Sequence, residues 1–330
     1  MKLLGLRVCD HDSNISYFDG EQVHYVKTER LYREKHDAYE NLYEWEQDIK
    51  TIWGVNVKEI DQIGIVLDPW RYGLPPDPTS IFPHINYSLP LNTPPVLKID
   101  HHYAHTLSYW PIQTQTPKVS IVVDGFGDYN IAWPVFKDDN IIDQGFIDQS
   151  GSIGLEMNKV GAILGLRGHN LDYAGKVMGL QTYGRIDYKF LDSLKGYNMS
   201  NINQLFNIDL WHTYVKDPLL SKLTLINWVH TIHFRVGEIL IDFFSKYCLP
   251  TDTISYTGGV AQNVVWNSKL KNKFPNLIIS PHCSDEGLSL GIIEYLRRIN
   301  NLPKFKPINF PYIGYPKFIR TDWTNNTETY

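Results

Sequence analysis

One pattern is written twice along this 330-residue chain, and that restricts its fold more than anything else. "LLGLRVC" (3–9), "NISYF" (14–18) and "QVHYVK" (22–27) alternate like strands, with Asp19-Gly20 as a hairpin turn between the last two. A helical stretch over about 38–53 follows, then "QIGIVLD" (62–68), a Pro-rich loop through 69–95, "PVLKID" (95–100) and a short segment, 101–110, stopped by Pro111. From residue 118 the series restarts. "KVSIVVD" (118–124), "YNIAWPVF" (129–136) and "NIIDQGFI" (140–147) are again three strands, turned at Asp138-Asp139-Asn140. Helical patterns at 153–165 and 225–247, "TISYT" (253–257), a helix over 260–272, "NLIIS" (276–280) and a helix over 286–298 complete it. Each half reads βββαβαβα, a repeat of topology rather than of sequence.

Two such halves describe an α/β duplicated ribonuclease-H-like fold, the type of actin, hexokinase and the heat-shock ATPases, with ligands in the cleft between lobes. The expected lobes are 1–115 and 116–300, with 301–330 as a C-terminal tail. Residues 168–222 break the repeat and read as an insertion in the second lobe. Its Arg167, His169, Tyr173, Tyr183, Arg185, Tyr188 and Lys189 could steer and stack on a nucleic acid, but a cover over the lobe's core is the expected role.

With 43% apolar residues the chain can build a core, and its net charge of −5, with mixed signs, argues against a broad electrostatic nucleic-acid surface while allowing a local groove. No apolar run approaches the ~18–20 residues of a bilayer span, so no membrane partner is expected. The first residues lack a signal-peptide pattern, and Cys9, Cys248 and Cys283 are widely spaced. Reduced thiols in a cytoplasmic protein fit best.

Chemistry gathers at three places. The strand at 118–124 ends in Asp124-Gly125-Phe126-Gly127-Asp128. Gly125 and Gly127 allow positive φ and close approach of a ligand, making Gly125, Gly127 and Asp128 candidates to seat phosphate, while Asp124 can hold a cation; a plain hairpin turn would use the same residues. In "KIDHHYAHTLSYWP" (98–111), Asp100 can cap a helix on which His101 and His105 share a face at the spacing for one metal, and His102 points elsewhere. With Asp124, and Asp285 of "SPHCSDEGLSLG" (280–291), they would form a mixed nitrogen–oxygen shell suiting Fe²⁺, Mn²⁺ or Zn²⁺ better than Mg²⁺ or Ca²⁺. Thirdly, "TISYTGGVAQNVVWNSKL" (253–270) runs from a strand through Gly258-Gly259 into a helix, a phosphate seat, with Asn263 and Asn267 placed to read a ribose or base edge. There is no P-loop.

In order along the chain, "HDSNISYFDGE", "TERLYREKHD", "DHHYAH", "VVDGFGD", "GKVMGLQTYG", "TGGVAQNVVWN" and "PHCSDEGLSLG" resemble the O-carbamoyltransferase family, which modifies nodulation factors and antibiotics and is related to the tRNA threonylcarbamoyladenosine transferases. The resemblance spans roughly residues 1–295 and implies the same duplicated fold. It also implies transfer of a carbamoyl group from carbamoyl-adenylate to an acceptor hydroxyl at a metal-containing cleft. His101, His105, Asp124 and Asp285 match the family's metal ligands, with Fe²⁺ typical of relatives. By the same resemblance His11 would do acid–base or carbamoyl-positioning work, and Lys35 and Lys176 would stabilise phosphate or developing negative charge. Gly127, Gly258, Gly259 and Asn263 would hold the adenylate. Family members usually carry a further C-terminal domain that makes carbamoyl-adenylate from ATP and carbamoyl phosphate. Here the chain stops about 35 residues after the last motif, implying a separate activating partner or direct use of carbamoyl phosphate with or without ATP. The family's usual "MGLAPYG" is "MGLQTYG" (178–184), which leaves the acceptor open between a sugar or small molecule and a 5-hydroxymethyl pyrimidine in DNA. Two other readings compete: an actin-fold kinase or ATPase, although "CDHDSN" lacks the glycine of such phosphate turns, and a non-catalytic nucleotide-binding regulatory subunit.

Overall fold

Alternation of apolar side chains dictates two sheets, and five strands of each follow the same order, the first sheet adding one edge strand. The computed structural model describes residues 1–8, 11–39, 44–66, 86–87, 94, 96–113, 115–205 and 222–306. The Pro-rich loop apart from Asn86, Tyr87 and Pro94, the end of the insertion, Cys9 and the tail beyond 306 lie outside the described residues. The first sheet contains β1 (Leu3–Arg7), β2 (Asn14–Phe18), β3 (Val23–Lys27), β4 (Gln62–Val66), β5 (Asn86–Tyr87) and β6 (Val96–Lys98), ordered β3-β2-β1-β4-β6-β5. The second contains β7 (Val119–Val122), β8 (Ile131–Lys137), β9 (Asn140–Phe146), β10 (Ile254–Thr257) and β11 (Leu277–Ile278), ordered β9-β8-β7-β10-β11. In both, the first strand pairs antiparallel with the second and parallel with the fourth, as Leu3↔Phe18 and Leu3↔Gln62, and Val119↔Lys137 and Val119↔Ile254, show. This is the duplicated ribonuclease-H-like fold expected from the sequence.

The long helices are α1 (Glu44–Trp53), α2 (His101–Leu107), α3 (Ile153–Ile163), α4 (Tyr173–Leu180), α5 (Lys222–Tyr247), α6 (Val264–Lys273) and α7 (Leu288–Ile299). Two of them decide where the site sits. Although α7 ends the second repeat, it packs on β1, β2, β4 and α2, while α2, from the first repeat, packs on β7 and β10. These crossed helices bury Ile99, Leu107, Val122, Leu290 and Ile293 in one apolar core between the sheets. Fully burying each such side chain contributes roughly 1.5–3 kcal/mol, so the lobes are welded at this seam. The contact is backbone-close, since a Cβ on Gly291 would lie 1.8 Å from the Ala104 carbonyl oxygen.

Part of the 168–222 stretch joins the second lobe's core through Val177, Leu194, Met199, Ile202 and Leu205. The expected core cover by its aromatic and basic residues is not found. Arg167, His169, Tyr183, Arg185, Tyr188 and Lys189 are exposed and Tyr173 is half-buried, because the aliphatic residues of the same short helices already close the core. Cys248 and Cys283 are buried free thiols, pushed up to about 12 by burial. No helix among the described residues is long and apolar enough to cross a membrane.

Candidate active site and metal centre

The strand ends of both sheets open onto a cleft of about 1370 Å³, room for a nucleotide-sized ligand. At its wall α2 begins as its sequence requires, with Asp100 accepting from Tyr103 N at 2.8 Å. That cap stacks His101 and His105 on one face, and both Nε2 atoms reach Asp124 Oδ2, each at 3.1 Å. Asp285, in a single turn leading into α7, brings Oδ1 to 3.6 Å from His101 Nε2 and 3.4 Å from His105 Nε2. One ligand atom from each of these four buried residues lies within 4.8 Å of the others.

The remaining carboxylate oxygens are tied back. Asp124 Oδ1 accepts from Gly125 N at 2.7 Å and Gly259 N at 3.0 Å, and Asp285 Oδ2 accepts from Arg7 at 3.1 Å. Two imidazole nitrogens and two carboxylate oxygens are thereby left facing one point, with two formal negative charges, and this donor set fits a divalent transition metal. Burial disfavours the charged forms, but the histidines outweigh it and hold Asp124 well below the usual carboxylate range. Asp285 is likewise lowered, by His101, His105 and Arg7 against burial. His105 is pushed down by burial but raised to about 9 by Asp124 and Asp285. An ion must expel that proton, so affinity for Fe²⁺ or Zn²⁺ should climb with pH and level off near 9. Ion titrations across this range check it, and affinity independent of pH contradicts it. In the ion-free protein the sign reverses: the stability His105 adds is complete below about 6.5 and lost as pH rises through about 9.

His102 does point elsewhere. It is buried, neutral by burial, and among the described residues neither ring nitrogen has a hydrogen-bond partner. Its ring and that of His101 lie against Gly127, where a Cβ would come within 2.5 Å and 2.6 Å of them. Gly127 is therefore required by the histidines' approach. The expected positive φ falls instead on Tyr129 (60°) and Asn130 (59°), and Gly127 has φ −136°.

The glycine amides are also not free donors, contrary to expectation. Gly125 and Gly259 donate to Asp124, Gly127 to the Ile131 carbonyl and Gly258 to the Cys283 carbonyl. Gly125, Gly127 and Gly259 still line the cleft, but Gly258 does not. Gly258 has φ +93° and no room for a Cβ, which would meet the Val123 carbonyl oxygen at 2.3 Å. The turn after β10 enters a short 3-10 segment, Gly259–Gln262, rather than α6 directly. Asn263, on the cleft, caps α6 by accepting from Trp266 N and meets His233 Nε2 at 2.9 Å, while Asn267 donates to the Ala261 carbonyl. Asp128 accepts from His101 N at 3.2 Å and pairs with Lys98 at 3.4 Å, so it anchors the start of α2.

His11 faces the same cleft, with Nε2 4.0 Å from Asp285 and Nδ1 2.8 Å from Asp12. Burial lowers its pKa, but Asp12 and Asp285 outweigh that and raise it. Lys35 and Lys176 line the cleft too, but Lys35 donates to Asp172 and Lys176 to the Arg167 carbonyl, with Asp172 3.9 Å away, rather than facing the four-residue cluster. Sequence reasoning missed Arg7, Asp12, Asn14, His36 and Asp172. Asn14 clamps the site by donating to the backbone carbonyls of Asp12 and Asp285 at 2.7 Å and 2.9 Å. A buried Arg at the end of an apolar strand was the one local signal.

A family profile described as the carbamoyltransferase N-terminus matches residues 88–293, a span holding all four cluster residues and Lys176 but neither His11 nor Lys35. An uncharacterized protein from Methanocaldococcus jannaschii is 29% identical over 233 residues, 65% of this chain and 43% of that protein. Among solved structures, HypF from T. kodakarensis aligns with TM-score 0.57 and 11% identity over 92% of this chain and 48% of its own. The activator of 2-hydroxyisocaproyl-CoA dehydratase from Clostridium difficile, with bound ADPNP, aligns with TM-score 0.54 and 12% identity over 93% of this chain and 100% of its own. The chain thus spans less than half the length of both the curated relative and HypF, and the structural likenesses speak for the fold.

Proposed function

The chain belongs to the carbamoyltransferase family, and from that premise we propose that it moves a carbamoyl group from carbamoyl-adenylate, or from carbamoyl phosphate with ATP, to an acceptor hydroxyl in the interlobe cleft. The observation that carries this reading is the convergence of His101, His105, Asp124 and Asp285, of which His101, Asp124 and Asp285 line the cleft beside His11. The four would hold Fe²⁺, or else Mn²⁺ or Zn²⁺. Such an ion supplies Lewis-acid polarisation of the carbamoyl carbonyl or neutralises donor phosphate charge.

The chain's own groups do the rest. The acceptor oxygen bonds to the carbamoyl carbon, the bond from that carbon to the phosphate oxygen breaks, and the phosphate group leaves with the electron pair. With Nδ1–H given to Asp12, the His11 lone pair lies on Nε2, on the cleft side, where it takes the acceptor's proton. Lys35 and Lys176 offer positive charge to the leaving phosphate. Leu155, Met157 and Val260 give the cleft apolar walls against water.

The test supplies protein and Fe²⁺ with hydroxyl acceptors, among them sugars and 5-hydroxymethylcytosine DNA, and weighs the acceptor for one added carbamoyl group. Carbamoyl-adenylate is given in one set, and ATP with carbamoyl phosphate in the other. Product is expected in the first. Product in the second as well means this chain activates its own donor, and its absence there assigns activation to a separate partner. No product in either, with phosphoryl transfer from ATP instead, would replace this reading by the kinase one.

A further inference from the structure

Asp172 ends the 3-10 turn Asn170–Asp172, which His169 caps and which runs straight into α4, and its own side chain makes no cap bond to that helix. The nearby Ala174 N–H is satisfied by Asn158 at 2.9 Å instead. The Asp172 carboxylate turns across the cleft to Lys35 and His36 and lies near Lys176 of its own helix. Lys35 donates to Oδ1, His36 Nε2 lies 3.0 Å from the same oxygen, and Lys176 Nζ, which donates to the Arg167 carbonyl, lies 3.9 Å from Oδ2. His36 also meets Asp12 at 3.2 Å through Nδ1, so both ring nitrogens face carboxylates, and Asp12 and Asp172 raise its pKa against burial. It sits in the left-handed region at φ 60°, as does Asp12 at φ 53°, and backbone strain of this kind in non-glycine residues persists where the surroundings enforce it.

The charges do not balance. Two lysines and a histidine surround one monoanionic carboxylate, while the histidine's other partner, Asp12, is shared with His11. A phosphate group offers more charge and more acceptor oxygens to the same donors than a carboxylate does. Lys35, His36, Asp172 and Lys176 all line the cleft, and none of them is a ligand of the histidine–aspartate cluster.

We propose that Lys35, His36 and Lys176 form a phosphate subsite that Asp172 plugs in the free protein, and that an incoming phosphate group displaces the Asp172 carboxylate. Because Asp172 and Lys176 come from the second lobe and Lys35 and His36 from the first, exchanging plug for ligand makes the phosphate itself the tie across the cleft. The plug keeps the subsite from holding stray small anions when no substrate competes.

The test needs neither carbamoyl donor nor acceptor, so it stands or falls apart from the transferase reading. Inorganic phosphate and pyrophosphate are titrated calorimetrically into the full chain, into Asp172→Asn, and into Asp172→Asn combined with Lys35→Ala and Lys176→Ala. An internal competitor acts at high effective concentration, so its removal should tighten anion binding by at least about tenfold. Loss of the two lysines should then abolish that gain. Asp172→Ser, which removes the same charge from a smaller side chain, should repeat the result and serves if the asparagine variant misfolds. Equal or weaker anion binding on removal of the carboxylate overturns the proposal and makes Asp172 a structural tie.

Discussion

Asp124→Asn is expected to leave a folded protein that neither retains a divalent ion nor turns over. Among the described residues Asp124 alone bonds to both histidines and to the turns after β7 and β10, so its charge is the hub of the cluster. Lewis-acid stabilisation worth several kcal/mol would be lost, a fall on the order of 10³-fold or more in transfer. The folded state is expected to survive for a definable reason. Removing one member of a buried ion pair commonly costs ~3–5 kcal/mol because the other is stranded charged. Here His105, raised to about 9 only by its two carboxylates, can release its proton and become neutral. Elemental analysis, the transfer assay and an unfolding curve together check this. A variant that keeps both ion and activity would show that the cluster is only a buried hydrogen-bond network.

Gly291→Ala is expected to do the opposite of what helix propensity dictates. In an open helical position alanine gains roughly 0.5–1 kcal/mol over glycine. Gly179 in α4, with nothing within 4 Å of its missing Cβ, should show that gain. At Gly291 the new Cβ would lie 1.8 Å from the Ala104 carbonyl oxygen and 2.6 Å from its carbon, so backbone must move. Overpacking typically costs ~1–3 kcal/mol, occasionally more, and a backbone obstacle places this case at the upper end or beyond. The moving backbone belongs to α2, which carries His101 and His105, so ion affinity should fall along with stability. Denaturant midpoints and ion titrations on both alanine variants test this. Unchanged ion affinity in a destabilised Gly291→Ala protein would mean that α2 holds the histidines independently of α7.

The duplicated fold was legible because strand alternation and turn chemistry are local, and the two sheets repeat one order. The metal cluster was partly legible for the same kind of reason. The i, i+4 spacing of His101 and His105 and the Asp100 cap belong to a single helix, and Asp124 and Asp285 stand at the ends of recognisable elements. What stayed hidden depends on closure in space. Nothing around Asp172 in the sequence indicates that it meets His36, 136 residues earlier. Nor does "LLGLRVC" show that Arg7 will grip Asp285, 278 residues on. The glycines were read as ligand contacts, whereas side chains from α2 and the backbone of Val123, just past β7, had already claimed the space beside Gly127 and Gly258. The crossing of α2 and α7 between the sheets likewise exceeds what periodicity can state.

The most direct measurement is transfer of an isotope-labelled carbamoyl group from carbamoyl-adenylate to an acceptor hydroxyl by the ion-stripped protein, before and after Fe²⁺ is restored. The account predicts no labelled product without the ion, recovery on its return, and no recovery in Asp124→Asn. Labelled product formed at the same rate by stripped and restored protein would contradict it.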